Sequence, residues 1–388
     1  MKVLKICIGT WNNASHDKRE LAVCRELGAD VLVAAKGDVT GQEETVDGFP
    51  VVRLTARPWG NKVPVAVNRV VSLFTWASYI RKMEDVDVIS GHDLSGLLIG
   101  WLSNFFKRNK AKLIYDSHEF ELARDPNRSK LALWFIKVAE GFLMKRSVIS
   151  TMVSDSIADE VQRIYKLKVR PTVARNTPCY WQLDGKRIAE TRAQILSAMN
   201  LPEDTFLVMF HGYYRPHNGI EPMLEAVSKI PGTAAVLVGN SDENRKAELL
   251  DLCRKLGVED RTYFHPAVPV EELYRFVAAA DLGTALLPPV TANYTWALPN
   301  KFFENIQSLT PVLASDFPEM GKVVDRYGIG LKVDPEDSAA ITAAVETMKN
   351  DKAFYAACKE NLRSAKEELC WEKEKEKLKE AYRPILAQ

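Results

Sequence analysis

The sequence predicts an α/β fold: two Rossmann-like, doubly wound domains in succession, facing across a cleft, with a last helix that crosses back to the first domain. Three observations predict it. Strand-like apolar runs alternate with helix-like ones along the whole chain, which is the pattern of parallel sheets joined by crossover helices. The alternation breaks once, at Arg175–Asp204, where Asn176-Thr177-Pro178 and Asp184-Gly185 are turn signals, and then resumes. The 388 residues are enough for two domains of ordinary size.

In the first half the expected strands are Lys2–Ile8, Ala29–Ala34, Val86–Ser90, Lys112–Asp116, Val148–Val153 and Pro171–Ala174. A helix is expected from Lys130, because Leu131, Trp134, Phe135 and Val138 recur at i, i+3, i+4 and i+7. Another is expected over Leu94–Phe106. The second series has strands at Phe206–His211, Thr233–Val238, Arg261–Phe264, Asp281–Leu286, Pro311–Ala314 and Ile329–Val333. Its first helix carries Ile220, Met223, Leu224 and Val227 at the same spacing. The domains are therefore expected at 1–180 and 181–368, followed by a returning helix at 369–388. That helix is mostly Glu and Lys, with one apolar stripe of Trp371, Leu378, Tyr382 and Ile385.

Composition narrows the function. A hydrophobic fraction of 46% and a charged fraction of 27% are those of a globular chain. A net charge of +1 gives no electrostatic case for nucleic acid. The six cysteines form no CxxC pair, which favours a reduced, cytoplasmic setting. No His, Cys and carboxylate cluster has zinc-ligand spacing. The opening run MKVLKICIGT is too short for a signal peptide, and no apolar stretch reaches transmembrane length.

Three constellations could carry chemistry. The loop His211–Gly219 joins a strand to a helix start, where free amides and the helix dipole attract phosphate. Gly212 and Gly219 let backbone approach a ligand, and Arg215 could neutralise a diphosphate leaving group. The alternative is an ordinary turn with a solvated arginine. The second constellation is Leu298-Pro299-Asn300-Lys301-Phe302-Phe303-Glu304. Pro299 suits the first helical position, Lys301 adds positive charge, and Glu304 could accept hydrogen bonds from two ribose hydroxyls. A carboxylate that merely complements the helix dipole is the plainer reading. The third is Tyr115-Asp116-Ser117-His118-Glu119, at the carboxyl end of a strand, where ligands of such sheets sit. His118 could bond a sugar or a leaving group; alternatively Ser117 or Asp116 caps a helix and His118 packs. Asp93, after His92, could likewise cap a helix or touch an acceptor. Two aromatic and basic stretches, Trp101–Lys110 and Lys130–Arg146, could sit on an anionic membrane surface or could form core.

These features, in this order, resemble glycosyltransferase family four, a large group of retaining enzymes of the GT-B fold. The resemblance covers nearly the whole chain and is strongest after residue 205. It is carried by Asp17-x-Arg19, His92-Asp93, Tyr115–Glu119, Val153-Ser154, Asn176-Thr177-Pro178, Gly212–Gly219, Leu237-Val238-Gly239, Phe264–Pro269, Ala279-Ala280-Asp281, Leu298–Glu304 and Thr310–Ser315. It implies a retaining, hexosyltransferase-type enzyme. Such an enzyme moves a sugar from a UDP- or GDP-sugar to a glycan, glycolipid or lipid-linked acceptor in cell-surface polysaccharide biosynthesis. It implies catalytic roles for His118, Glu304 and Arg215. Donor contacts would come from Gly212, Tyr214, Asn218, Gly239, Pro266, Val268, Leu298, Pro299, Asn300 and Lys301. Acceptor contacts would come from His92, Asp93, Trp11 and Arg19. No metal or other cofactor is implied, the nucleotide sugar being a co-substrate, and the location implied is cytoplasmic, with a peripheral membrane association. Asp85-Val86-Asp87 matches a metal motif of a different glycosyltransferase fold, but it precedes its strand and reads as solvated charge.

The chain also departs from the pattern. The family's Arg after Gly212 is Tyr213, its basic residue before Gly219 is Asn218, and the glutamate eight residues before Glu304 is Trp296. An epimerase of the same architecture and a non-catalytic nucleotide-sugar-binding partner are the rival expectations. Fold alone does not separate the three.

Overall fold

The computed structural model describes every residue except Thr10, Ala14, Phe106 and Gln388, and gives Asn13 and Ser15 as backbone only. The expected helix end at Phe106 therefore lies outside the described residues. The chain folds as two compact units. One is Met1–Arg175 together with the residues from Lys375 onward; the other is Asn176–Glu374.

The first unit runs β1 (Lys2–Cys7), α1 (Ser15–Glu26), β2 (Asp30–Gly37), β3 (Gln42–Val46), β4 (Phe49–Thr55), α2 (Val65–Arg81), β5 (Val88–His92), α3 (Asp93–Asn104), β6 (Lys112–Asp116), α4 (Lys130–Met144), β7 (Ile149–Met152), α5 (Asp155–Tyr165) and β8 (Thr172–Val173). Its eight strands lie in the order β3-β4-β2-β1-β5-β6-β7-β8, all parallel except β3 against β4. The order reverses direction at β1/β5, the point where such sheets open a crevice at their carboxyl ends. Register sets Lys5 beside Ser90 and His92 beside Asp116 there.

The second unit holds α6 (Gly185–Ala198), β9 (Phe206–His211), α7 (Ile220–Lys229), β10 (Thr233–Val238), α8 (Glu243–Leu256), β11 (Thr262–His265), α9 (Val270–Ala279), β12 (Leu282–Ala285), α10 (Ala292–Thr295), α11 (Asn300–Gln307), β13 (Val312–Ser315), α12 (Pro318–Tyr327), β14 (Gly330–Val333), α13 (Ser338–Asn350) and α14 (Lys352–Glu368). The final helix, α15 (Trp371–Leu386), begins here and from Lys375 belongs to the first unit. Its stripe of Trp371, Leu378, Tyr382 and Ile385 is buried. The six strands are parallel, in the order β11-β10-β9-β12-β13-β14, with the reversal at β9/β12. Every residue of β9 and β10 is buried, as continuous apolar runs between two helical layers require. Their register ends level, His211 beside Val238.

Helix starts follow local chemistry. Asp184, Asp242 and Ser154 each accept a hydrogen bond from an amide of the first turn of α6, α8 and α5. Two of the open alternatives fall away, and two elements were not expected. Neither Asp93 nor Ser117 nor Asp116 caps a helix; Asp116 ends β6 and points into a buried ion cluster. The hairpin β3–β4 and the helix α2 lie where no element was expected. The apolar stripe of α4 does not enter the core: Leu131, Trp134, Phe135 and Val138 are 66%, 56%, 58% and 51% exposed.

Candidate functional site

In the second unit a cavity of about 540 Å³ opens at the β9/β12 reversal. It is walled by the ends of β9 and β10, the loop before α9 and the start of α11. Close backbone approach shapes it. A Cβ on Gly239 would stand 1.8 Å from the Gly212 carbonyl oxygen, so only glycine fits between the two loops. Gly219, at φ 79°, starts α7, and a Cβ there would meet Leu286 at 2.5 Å.

Pro299 precedes α11 in extended conformation, one residue before the position the sequence suggested. The first amides of α11 have no intrahelical partner and are oriented to accept an anion. Lys301 adds a cation. Its ammonium lies 3.4 Å from the Asn218 carbonyl oxygen and 4.4 Å from the centre of the Phe210 ring. Burial pushes its pKa down to about 8, against the opposing pull of Glu304. One turn further on, Glu304 meets His211: Nε2 and Oε2 are 2.8 Å apart. An ionised carboxylate can only accept, so the imidazole N–H donates. This bond fixes the Glu304 side chain, and its second oxygen remains for a ligand hydroxyl.

Of the expected donor contacts, Gly212, Asn218, Gly239, Val268, Pro299, Asn300 and Lys301 line this cavity, as does Glu304, expected as a catalytic residue. Four other expected residues do not. Tyr214 turns into the core, where its hydroxyl donates to the His265 carbonyl at 3.3 Å. Leu298 packs in the cluster around Phe302 and Phe303. Pro266 gives way to its neighbours Ala267 and Val268. Arg215 is exposed, with its guanidinium 5.6 Å from the ring centre of Tyr213, and it is Tyr213 that reaches the cavity. The sequence reading gave His211 no role; it sits 93 residues from Glu304, and no spacing rule joins them.

The first unit has a different kind of centre. Lys5, wholly buried in β1, bonds Asp116 at 2.7 Å and Asp17 at 2.9 Å, and also bonds Glu20. Burial alone would lower its pKa; the three carboxylates outweigh burial and raise it well above the ordinary lysine value. Ser90 and Tyr382 donate to Glu20 at 2.8 and 2.7 Å. His118 lies 3.1 Å from Asp116 and His92 2.9 Å from Asp17. Burial opposes the charge on His118, but Asp116 overcomes it and lifts the imidazole to about 9. His16, its ring 4.2 Å from that of His118, is pushed down to about 3 by burial and then by the His118 charge. The expected residues His118 and His92 thus belong to one cluster. Asp93, at φ 53°, holds it together: it accepts from the His118 amide at 3.2 Å and from Arg124 at 2.9 Å. Trp11 is buried edge-on against Phe49 and is core, while Arg19 is half-buried on α1. His16, Asp17, Asp116 and His118 offer ligand atoms within 4.8 Å of one another. Lys5, however, already supplies a cation to both carboxylates, so the set does not fit a metal ion. One signal in the sequence pointed here: a lysine inside an otherwise apolar strand is buried only when paired.

A parallel-sheet cavity with the start of α11, a lysine and a carboxylate held by His211 can take a phosphate next to hydroxyl groups. The families agree. Residues 16–177 match the glycosyl transferase 4-like domain, and residues 192–365 match glycosyl transferases group 1. The chain is a glycosyltransferase composed of these two domains in the GT-B architecture. It is 22% identical over 384 residues to an uncharacterised glycosyltransferase of Methanocaldococcus jannaschii, covering 90% of each chain. It is 26% identical over 203 residues to the lipopolysaccharide core biosynthesis glycosyltransferase LpsE of Rhizobium meliloti, covering 52% of this chain and 55% of that one. Among solved structures, HepE of Anabaena in complex with UDP-glucose is similar with a TM-score of 0.74 at 17% identity, covering 99% of this chain and 100% of that one.

Proposed function

We propose that this glycosyltransferase moves a hexosyl group, with retention, from a nucleoside-diphosphate sugar to a glycan or lipid-linked acceptor of the cell surface. The observation that carries the donor reading is the cavity where Lys301, the start of α11 and the His211-held Glu304 converge. In this reading Glu304 accepts from the ribose, and Gly239 and Val268 flank the base. The amides at Asn300 and Lys301, with the Lys301 ammonium, take the diphosphate. The bond between the sugar's anomeric carbon and the phosphate oxygen breaks. The acceptor oxygen bonds to that carbon on the same face, and its proton goes to the departing phosphate. Lys301 and the helix start supply the positive charge that the departing group needs, so the reaction is expected to run without a metal. His118, held protonated by Asp116, is assigned to the sugar side, and His92 to the acceptor side. The UDP-glucose bound to the Anabaena protein and the name of LpsE support a UDP-hexose and a surface glycan. The location in this reading is cytoplasmic; among the described residues no helix is long and apolar enough to cross a membrane.

The test is a panel of UDP- and GDP-sugars, read by thermal stabilisation and by slow release of the nucleoside diphosphate. Stabilisation by one nucleotide class with slow hydrolysis is the expected outcome. Glu304→Ala should weaken nucleotide binding on the order of tenfold, about 1–2 kcal/mol for a lost charged hydrogen bond, with folding intact. Binding without any turnover would favour the non-catalytic reading, which the Asn218 amide, turned to the Tyr213 carbonyl at 3.0 Å, also suits. No response to any nucleotide would sink the donor assignment.

A further inference from the structure

One end of the donor cavity is built on β9 and the start of α11, where His211, Lys301 and Glu304 meet. The cavity ends on the other side against β10 and β11, in a wall made by Val238, Gly239, Asn240, Ala267, Val268 and Leu273. Neighbouring strands lie about 4.8 Å apart, so the step from β9 past β10 to β11 is about 10 Å. That span carries a nucleoside from its ribose at Glu304 to the far edge of its base.

Asn240 is the polar side chain of this wall. Its backbone is held on both sides: the Gly239 amide donates to the His265 carbonyl at 2.9 Å, and the Tyr214 amide donates to the Asn240 carbonyl at 2.8 Å. The carboxamide is held as well, because the Ala267 N–H donates to Oδ1 at 3.0 Å. Only an oxygen can accept there, so the group has one orientation. Nδ2 keeps both of its hydrogens, and among the described residues no group accepts from it.

A group that can only donate, set at the far edge of a base, selects by polarity. Uracil, like thymine, carries a carbonyl oxygen at C4, an acceptor; cytosine carries an amino group there, a donor. Adenine pairs an acceptor with an amino group, which asks for the oxygen that Ala267 already occupies. Guanine sets N1–H beside an amino group, which asks for a carboxylate, and the lining's one carboxylate, Glu304, stands at the ribose end. Uracil's single N3–H asks only for one carbonyl, which the Ala267–Val268 backbone can supply. We propose that Asn240 is a specificity-determining residue, donating through Nδ2 to the 4-carbonyl of a uracil base and rejecting cytosine by the same polarity. This rests on the donor reading of the cavity and adds the side chain that chooses the base.

The experiment titrates the full chain, and its Asn240→Ala and Asn240→Asp variants, with UDP, CDP and GDP in a calorimeter. The parent should bind UDP roughly tenfold or more tightly than CDP, the range of one base-edge hydrogen bond. Asn240→Ala should erase that preference by weakening UDP alone. Asn240→Asp keeps an acceptor for the Ala267 amide but turns the outward donors into an acceptor, so it should reverse the order in favour of CDP. A general disturbance of the loop would weaken both pyrimidine nucleotides alike and could not reverse them. Equal affinity of the parent for UDP and CDP overturns the proposal, as does tighter binding of GDP than of UDP. An order unchanged in both variants, or UDP and CDP weakened alike, overturns it too. In all these outcomes nucleotide still binds and the donor reading stands; no binding of any nucleotide to the parent removes that reading and this proposal with it.

Discussion

The two units carry centres of opposite design. The cavity in the second unit is open and built largely of backbone: helix amides, glycines and proline, with one lysine and one carboxylate. The centre of the first unit is closed and built of side chains, with Lys5 among Asp17, Glu20 and Asp116 and three histidines around them. An open, amide-rich site can bind an anion at little cost to the fold. A closed ionic cluster costs desolvation for every member and stays intact only when all partners are present. The lesson is that substitutions in the second unit's cavity should act on binding, and substitutions of the buried ions around Lys5 on stability.

The largest expected effect tests that division directly. Lys5→Met removes the buried ammonium shared by three carboxylates and should destabilise the fold by about 3–5 kcal/mol, read by urea unfolding. A loss below about 1 kcal/mol would mean that the cluster is hydrated and not closed. Next comes the pH dependence of donor binding. With Lys301 at about 8 in the free protein, its charge is lost above that pH. Nucleotide affinity should therefore fall up to about tenfold per unit as pH rises from 8, and Lys301→Met should flatten the profile while weakening binding throughout. A smaller effect concerns His118. Its folded value of about 9 exceeds the ordinary 6.5, so its contribution to stability is complete below 6.5 and is lost as pH rises through 9. Unfolding free energy should decline across that window in the parent and less so in His118→Gln. The smallest effect belongs to Arg215→Ala. Since Arg215 lies outside the cavity lining, nucleotide affinity should change less than about twofold, in the range of a solvated charge. A tenfold loss would show that the loop closes on its ligand.

The same contrast governs what could be read in advance. Strands of the second unit were legible because they are buried on both faces: Phe206–His211 and Thr233–Val238 begin and end where their apolar runs do. In the first unit β3, Gln-Glu-Glu-Thr-Val, is an exposed edge with no alternation, and β4 carries Pro50. Helix α2 is rich in valine, which favours strands, and lacks a side-chain cap. Glycines and helix starts announced the donor cavity because the chemistry lies in neighbouring residues. The His211–Glu304 bond and the Lys5 cluster were hidden because they join distant segments. Tyr214 and Leu298 were misplaced because side-chain direction at a loop cannot be deduced from position alone.

The tail of the chain adds a matter of timing. Tyr382 completes the bonding of Glu20, and Lys375 and Lys379 pair with Glu26, all in the unit that starts at Met1. A ribosome therefore releases the beginning of this unit first and its closing piece last. Until α15 has emerged, Glu20 lacks the Tyr382 hydroxyl, so a chain stalled or cut before residue 375 would leave the unit around Lys5 unfinished.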